Sequence, residues 1–166
     1  METQNAQSGE HQGQLAHLAG KYLTFRVDDE EYGVQINKVR EIIGVLDVTP
    51  VPQTADHVLG VINLRGKVIP VIDLRLKFGM AYRQPDDRTC IVVVEVLGEM
   101  GVTLLMGVVV DAVREVINVA AADLEPAPTF GVELDMSYLL GMAKVDGKVK
   151  TILDIDKVLG DRHAVL

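Results

Sequence analysis

The 166-residue sequence has no tryptophan, three phenylalanines, four tyrosines and one cysteine. Each shortage excludes something. With aromatics at 4% of residues, the core has to be aliphatic. Cys90 stands alone, so it cannot close an internal disulfide, which suits a reducing compartment. Long apolar runs are missing too. The most apolar stretch, Val102 to Val110, is about half of the ~20 residues that span a bilayer. Met1 to Gln14 lacks the basic and apolar regions of a secretory signal. Positive charge is scarce: 16 Lys and Arg face 24 Asp and Glu, for a net charge of −8. That balance repels phosphate backbones and anionic lipid, so neither nucleic acid nor membrane insertion is expected. The expectation is a soluble, cytoplasmic protein.

What is present can fold. Hydrophobic residues make up 48% of the chain. The length suits one compact domain or two small ones sharing a core, burying ~70% of the unfolded surface without a disulfide or metal. Residues 1–18 are polar and without periodicity, and they read as a disordered tail preceding a domain over 19–166. His11 and His17 lie in that tail, where nothing would fix two imidazoles as metal ligands. From Lys21, Leu23, Phe25 and Val27 alternate with Tyr22, Thr24 and Arg26. An acidic turn at residues 28–31 follows, and Tyr32, Val34 and Ile36 alternate again, which predicts a β-hairpin. Ile91 to Val96 is continuously apolar and β-branched, a strand buried on both faces. The fold class is mainly β with short helical turns.

The sequence repeats itself. Gly33-Val34-Gln35-Ile36-Asn37-Lys38-Val39-Arg40-Glu41-Ile42-Ile43 aligns with Gly107-Val108-Val109-Val110-Asp111-Ala112-Val113-Arg114-Glu115-Val116-Ile117. Thr49-Pro50-Val51-Pro52 answers Glu125-Pro126-Ala127-Pro128. Leu59-Gly60 answers Leu140-Gly141, Gly66-Lys67-Val68 answers Gly147-Lys148-Val149, and Val71-Ile72-Asp73-Leu74 answers Ile152-Leu153-Asp154-Ile155. Phe78-Gly79 answers Leu159-Gly160. The blocks keep their order, so two similar β-subdomains are expected, near 20–90 and 90–160, each with about five short strands closing a small barrel. Arg65-Gly66 and Asp146-Gly147 are hairpin turns. Each half ends in a short amphipathic turn, the second built on Ile155, Val158 and Leu159. One hairpin tip carries Arg65 and its counterpart carries Asp146, and such asymmetry marks where one copy has gained its own surface.

Motifs of catalysis are missing: no phosphate loop, nucleophile elbow, HExxH or CxxC. Cys90 opens an apolar strand with no neighbouring histidine, and His57 sits beside Asp56 in a polar turn. Asp73, Asp111 and Asp154 interrupt apolar runs. The repeat places Asp73 and Asp154 at one position, which favours capping of the turn that follows each strand over a metal or acid–base role. Two features look like binding surface. Ile36, Val39 and Ile42/Ile43 recur at three- and four-residue spacing, as another core-facing turn or as the wall of a groove for a partner helix. Arg65 sits on a tip steadied by the strand Val68 to Ile72, and arginine is enriched in interface hot spots.

Glu31-Tyr32-Gly33-Val34, Ile36, Lys38-Val39-Arg40-Glu41-Ile42, Thr49-Pro50-Val51-Pro52, Gly60-Val61-Ile62-Asn63-Leu64-Arg65-Gly66 and Val68-Ile69-Pro70-Val71-Ile72-Asp73-Leu74-Arg75, with Gly107 to Val113, resemble the CheW family of chemotaxis coupling proteins over about residues 20–160. The resemblance implies two intertwined five-stranded SH3-like barrels, no catalytic activity and no cofactor. It implies a cytoplasmic adaptor recruited to membrane receptor arrays, bridging the cytoplasmic tip of a chemoreceptor (a methyl-accepting chemotaxis protein) to the regulatory domain of the histidine kinase CheA. Carried over position by position, the receptor surface comprises Leu23, Ile36, Val39, Glu41, Ile42, Arg65 and Val116, and the kinase surface the region of Val51. Two other readings stay open. One is a CheW-like scaffold in pilus motility or another two-component pathway. The other is a small β-barrel enzyme or nucleotide-binding protein. The related receiver- and kinase-bearing proteins do not fit a chain of this length.

Overall fold

A computed structural model describes residues 15–127 and 136–160. The expectations for residues 1–14, for the block's Pro128 and for the end of the 19–166 domain, residues 161–166, lie outside the described residues. The strands are β1 (Gly20–Val27), β2 (Glu30–Gln35), β3 (Val39–Gly44), β4 (Val58–Leu64), β5 (Lys67–Asp73), β6 (Cys90–Leu97), β7 (Thr103–Val110), β8 (Ala112–Val119), β9 (Leu124–Glu125), β10 (Leu139–Val145) and β11 (Lys148–Leu153). Short helices α1 (Leu74–Lys77) and α2 (Ile155–Leu159) follow β5 and β11. Among the described residues no helix is long and apolar enough to cross a membrane.

The strands form two sheets, in the orders β8-β1-β2-β11-β10-β9 and β3-β6-β7-β5-β4. Neither sheet is one repeat. The first takes the hairpin β1–β2 from the first repeat and β8 to β11 from the second. The other takes β6–β7 from the second repeat and β3 to β5 from the first. Parallel pairings join them at equivalent places, Val71 with Gly107 and Ile152 with Gly33. The barrels are therefore intertwined, and the sequential subdomains 20–90 and 90–160 are repeats of sequence but not units of space. The cause is the corner after β2 and after β7, where the chain leaves one sheet and enters the other.

Three apolar clusters follow from this exchange. Between the sheets pack Leu23, Phe25 and Val27 of β1, Val34 of β2, Val92, Val94 and Val96 of β6, and Val108 and Val110 of β7, with Leu74, Ile155, Val158 and Leu159 from the helices. Tyr22, Ile117, Val119, Leu124, Ala143 and Ile152 fill the first barrel. Ile62, Ile69, Val71, Ile91 and Val93 fill the second. Each buried Val, Leu, Ile or Phe among them contributes ~1.5–3 kcal/mol. As expected, Ile91 to Val94 are buried on both faces of β6. β1 is likewise buried on both faces: Thr24 is inaccessible, its hydroxyl donating to the Glu115 carbonyl at 2.9 Å.

The chain assigned to the tail ends earlier than residue 18. Ala16–Leu18 form a 3-10 turn, Leu18 is buried against the first barrel, and its carbonyl accepts the Tyr22 hydroxyl. Leu15 and Leu18 end a polar stretch and are too few to give a periodic signal, yet both pack against the first barrel. The matched Pro blocks have a common purpose as well. Thr49 bridges to Val61 and Glu125 pairs with Met142, so each segment crosses over the glycine at the third position of its hairpin's first strand, Gly60 or Gly141. A Cβ on Gly60, whose φ is +143°, would lie 2.0 Å from the Thr49 carbonyl oxygen. Asp73 and Asp154 cap α1 and α2, accepting from the backbone N–H of Arg75 and Lys157 respectively. Burial pushes the Asp73 carboxyl up, and the N–H groups of Arg75 and Leu76 offset part of that.

Candidate functional site

The segment Ile36 to Ile43 is one 3-10 turn, Ile36–Lys38, running into β3, rather than a helical face. Its three- and four-residue spacing combines the corner with a β-bulge. Val39 pairs with Val94 and Glu41 with Val93, so Arg40 is the extra residue. The second repeat has the same bulge at Arg114, between the pairs Thr24–Glu115 and Phe25–Val113. A bulge bends an edge strand and interrupts its ladder, and β3 and β8 are the terminal strands of their sheets.

The register divides the candidate residues between two faces. Val39 and Ile42 lie opposite Val94 and Val92, on the face that lines the inter-barrel core, whereas Glu41 lies opposite Val93 and points toward the mouth of the second barrel. Ile36 and Val39 are half-buried against the inter-barrel core. Ile42 is 44% exposed and Val116 53% exposed, and the repeat makes these two positions equivalent. Leu23, the cross-strand partner of Val116, is 2% exposed. It lies beside Val116 on the same face of the sheet and, being buried, offers a partner almost no surface. Its place on the alternating face of β1 already marked it for burial.

At the barrel mouth the Arg65 guanidinium pairs with Glu41, and Arg40 pairs with Glu95. Arg65 has φ +50° and Asp146 has φ +54°, each followed by a glycine with positive φ, so the two tips share one turn geometry. The Asn63 side chain accepts the Gly66 N–H at 3.0 Å and closes the Arg65 tip. Beneath the ion pairs lies an open cavity of about 620 Å³, lined by Leu64, Ile69, Val93, Leu104 and Leu105 among others. Val51 sits elsewhere, half-exposed in the loop between β3 and β4, its carbonyl accepting the Thr54 hydroxyl at 3.0 Å.

Sequence reasoning missed several surface residues. Val68 is 70% exposed, Met100 99% and Val102 56%. Their signal was present: Met100 and Val102 flank Gly101 in a hairpin tip, and Val68 follows a turn glycine. Arg40 had a signal too, as the retained Arg–Glu doublet of the repeat. Among the described residues no group of three or more His, Cys, Asp or Glu side chains is placed to hold a metal ion. The charged surface at this mouth is organised as ion pairs around apolar edges.

Comparison with known proteins agrees with this geometry. A family model described as the CheW-like domain matches residues 21–163. The chemotaxis protein CheW of Klebsiella aerogenes is 36% identical over 157 residues, covering 92% of this chain and 92% of that protein. CheW of Rhizobium meliloti is 35% identical over 144 residues, covering 87% of this chain and 90% of its own length. The crystal structure of the scaffolding protein TtCheW from Thermoanaerobacter tengcongensis superposes with a TM-score of 0.77 at 33% identity, covering 89% of this chain and 96% of that one.

Proposed function

The chain belongs to the CheW-like family, and on that premise we propose that it is a non-catalytic adaptor of chemotaxis, coupling a chemoreceptor's cytoplasmic tip to the regulatory domain of the histidine kinase CheA. The observation that carries this reading is the pair of exposed apolar side chains, Ile42 and Val116, at equivalent positions on the two terminal strands β3 and β8, above the core that joins the barrels. An apolar face of a receptor helix docks along these strands, with half-buried Ile36 and Val39 at the corner. Arg65 and Glu41 provide charge selectivity at the rim, where such groups act more on choice of partner than on raw affinity. The loop carrying Val51 is the kinase side. Receptor and kinase influence one another only when both are held together.

The test is a pull-down with a receptor cytoplasmic fragment and CheA, separately and together. The reading expects each partner to be retained alone and a ternary complex when both are present. Retention of neither, by folded protein, overturns it.

A further inference from the structure

Several ion pairs tie one repeat to the other, and two of them lie at related places with opposite polarity. In the first, Arg75 on α1 of the first repeat meets Asp111 at the β7–β8 corner of the second, 2.7 Å from Nη1 to Oδ2, the side chains 13% and 11% exposed. Asp111 Oδ2 also accepts the Asp28 N–H at 2.7 Å. In the second, Asp156 on α2 of the second repeat meets Lys38 at the β2–β3 corner of the first, 2.8 Å from Nζ to Oδ2. Asp156 Oδ1 accepts the Leu97 N–H at 2.8 Å. Arg75 and Asp156 each stand two residues after the capping aspartate, so they occupy one position of the repeat. Asp28 and Leu97 are equivalent as well, because the pair Phe25–Val113 matches the pair Val94–Val39. Asp111 aligns with Asn37, next to Lys38. The same junction is thus built twice: helix cation on corner anion, then helix anion on corner cation.

We propose that this polarity is a pairing code, directing each repeat onto the other repeat and away from its like in a second copy of the chain. The exchange of hairpins creates the need. Two similar repeats that complete each other's sheets could also be completed by the same repeat of another molecule. Pairing of first repeats would set Arg75 against Lys38 and leave the Asp28 N–H with no carboxylate. Pairing of second repeats would set Asp156 against Asp111. Both combinations place like charges at a partly buried junction, and only the mixed pairing makes both junctions attractive. Asp28 and Arg83 flank the first junction, with the Asp28 carboxylate 3.7 Å from Arg75 and Arg83 4.0 Å from Asp111. Being opposite in sign, they leave its polarity unchanged. The code does not oppose a reciprocal swap between copies, in which both mixed junctions survive; that is opposed only by the effective concentration within one chain.

The full chain is unfolded in denaturant, refolded at high protein concentration, and its mass distribution read by size exclusion with light scattering. Arg75→Asp with Asp111→Lys keeps a complementary pair at each mixed junction but makes every like-repeat junction attractive. The dimer fraction should rise several-fold over wild type, and ~1 M salt, with a screening length near 3 Å, should shrink that rise. Adding Lys38→Asp and Asp156→Lys restores repulsion between like repeats with all signs reversed, and should return the dimer fraction to the wild-type level. The fourfold variant lacks the same Arg75 and Asp111 contacts as the double variant and carries the same new repulsions with Asp28 and Arg83, so it controls for both. A double variant with the wild-type dimer fraction overturns the code. So does a fourfold variant as dimeric as the double, or failure of both to refold.

Discussion

Arg65→Asp separates the two roles a hairpin tip can have. Its effect on folding can be worked from the structure. The tip tolerates aspartate, because Asp146 holds the same backbone conformation in the other barrel, φ +54° against +50°. Aspartate also enters the left-handed region more readily than arginine. Against this stands the lost pair with Glu41, whose partners are 74% and 25% exposed. An exposed pair is worth ~0–1 kcal/mol, and two carboxylates in its place cost a similar amount. The net change in unfolding free energy should stay within about 1 kcal/mol by urea titration. Binding should change far more. If Arg65 is a hot spot for the receptor, affinity falls by ~2 kcal/mol, roughly 30-fold, in a titration with the receptor fragment. CheA binding should hardly move. Arg65→Asp with Glu41→Arg then decides how Arg65 acts. It rebuilds the ion pair with reversed sign, so stability returns while receptor binding stays weak. Wild-type receptor affinity in Arg65→Asp would refute the assignment and reduce the tip to a turn. Recovery of binding in the double variant would show that the pair only positions β3.

Val116→Asp should weaken receptor binding without loss of fold, since the side chain is 53% exposed; equal weakening of receptor and CheA binding by a folded variant speaks against separate surfaces. Val51→Asp should weaken CheA binding and spare the receptor. Leu18→Ala should cost about 2–3 kcal/mol in urea, as for other buried leucines; no measurable loss would return Leu18 to the tail. The Glu31 carboxyl is held below its usual range, first by its hydrogen bond to Lys150 and then by the charges of Lys150, Arg114 and Lys148, against the opposing effect of burial. A lowered folded pKa gives stability that is present above the unfolded value and lost as pH falls through the folded one. Glu31→Gln should therefore remove that part of the acid limb, and should cost ~3 kcal/mol at pH 7, because Lys150, 5% exposed, loses its counter-charge while keeping an acceptor. Asp73→Asn, which keeps the cap and removes a carboxylate that burial disfavours, should be at least as stable as wild type at pH 7, whereas Asp73→Ala should lose ~1 kcal/mol.

Much of the fold was legible because it rests on short-range rules. Period-two alternation located the β1–β2 hairpin, the Arg-Gly and Asp-Gly pairs located two turns, and matched aspartates located two caps. What was illegible is non-local. Nothing within residues 20–90 says that β1 and β2 find their neighbours in β8 and β11, since local periodicity is the same whichever sheet a strand joins. The bulges at Arg40 and Arg114 were hidden for a related reason: one inserted residue shifts the alternation by one, and before a corner that shift imitates helical spacing. Leu23 shows the limit of transferring sites by motif. Its neighbour across the ladder, Val116, is exposed, but β1 is an interior strand buried on both faces, and Leu23 is buried with it.

The exchanged topology bears on how an adaptor of this kind works. Two barrels joined in sequence by a linker would move about it, as domains with modest interfaces do. Here no single linker exists. The corners at residues 36–38 and at Asp111 both cross between sheets, each pinned by an ion pair to the helix that ends the opposite run of strands. Val92, Val94 and Val96 face Leu23, Phe25 and Val27 across the junction, all 2% exposed or less. On the proposed assignment, a partner bound on β3 and another bound on the loop after it would rest on one continuously packed unit. Coupling between them needs no conformational change in the adaptor. It needs only that the receptor's own rearrangement shift the position at which the kinase is held, so mutations that loosen the corners should weaken signalling more than they weaken either binding step. Lys38→Ala is the direct case: with both partners still bound at near wild-type affinity, receptor control of kinase activity should fall, and undiminished control would show that the corner's rigidity is not used.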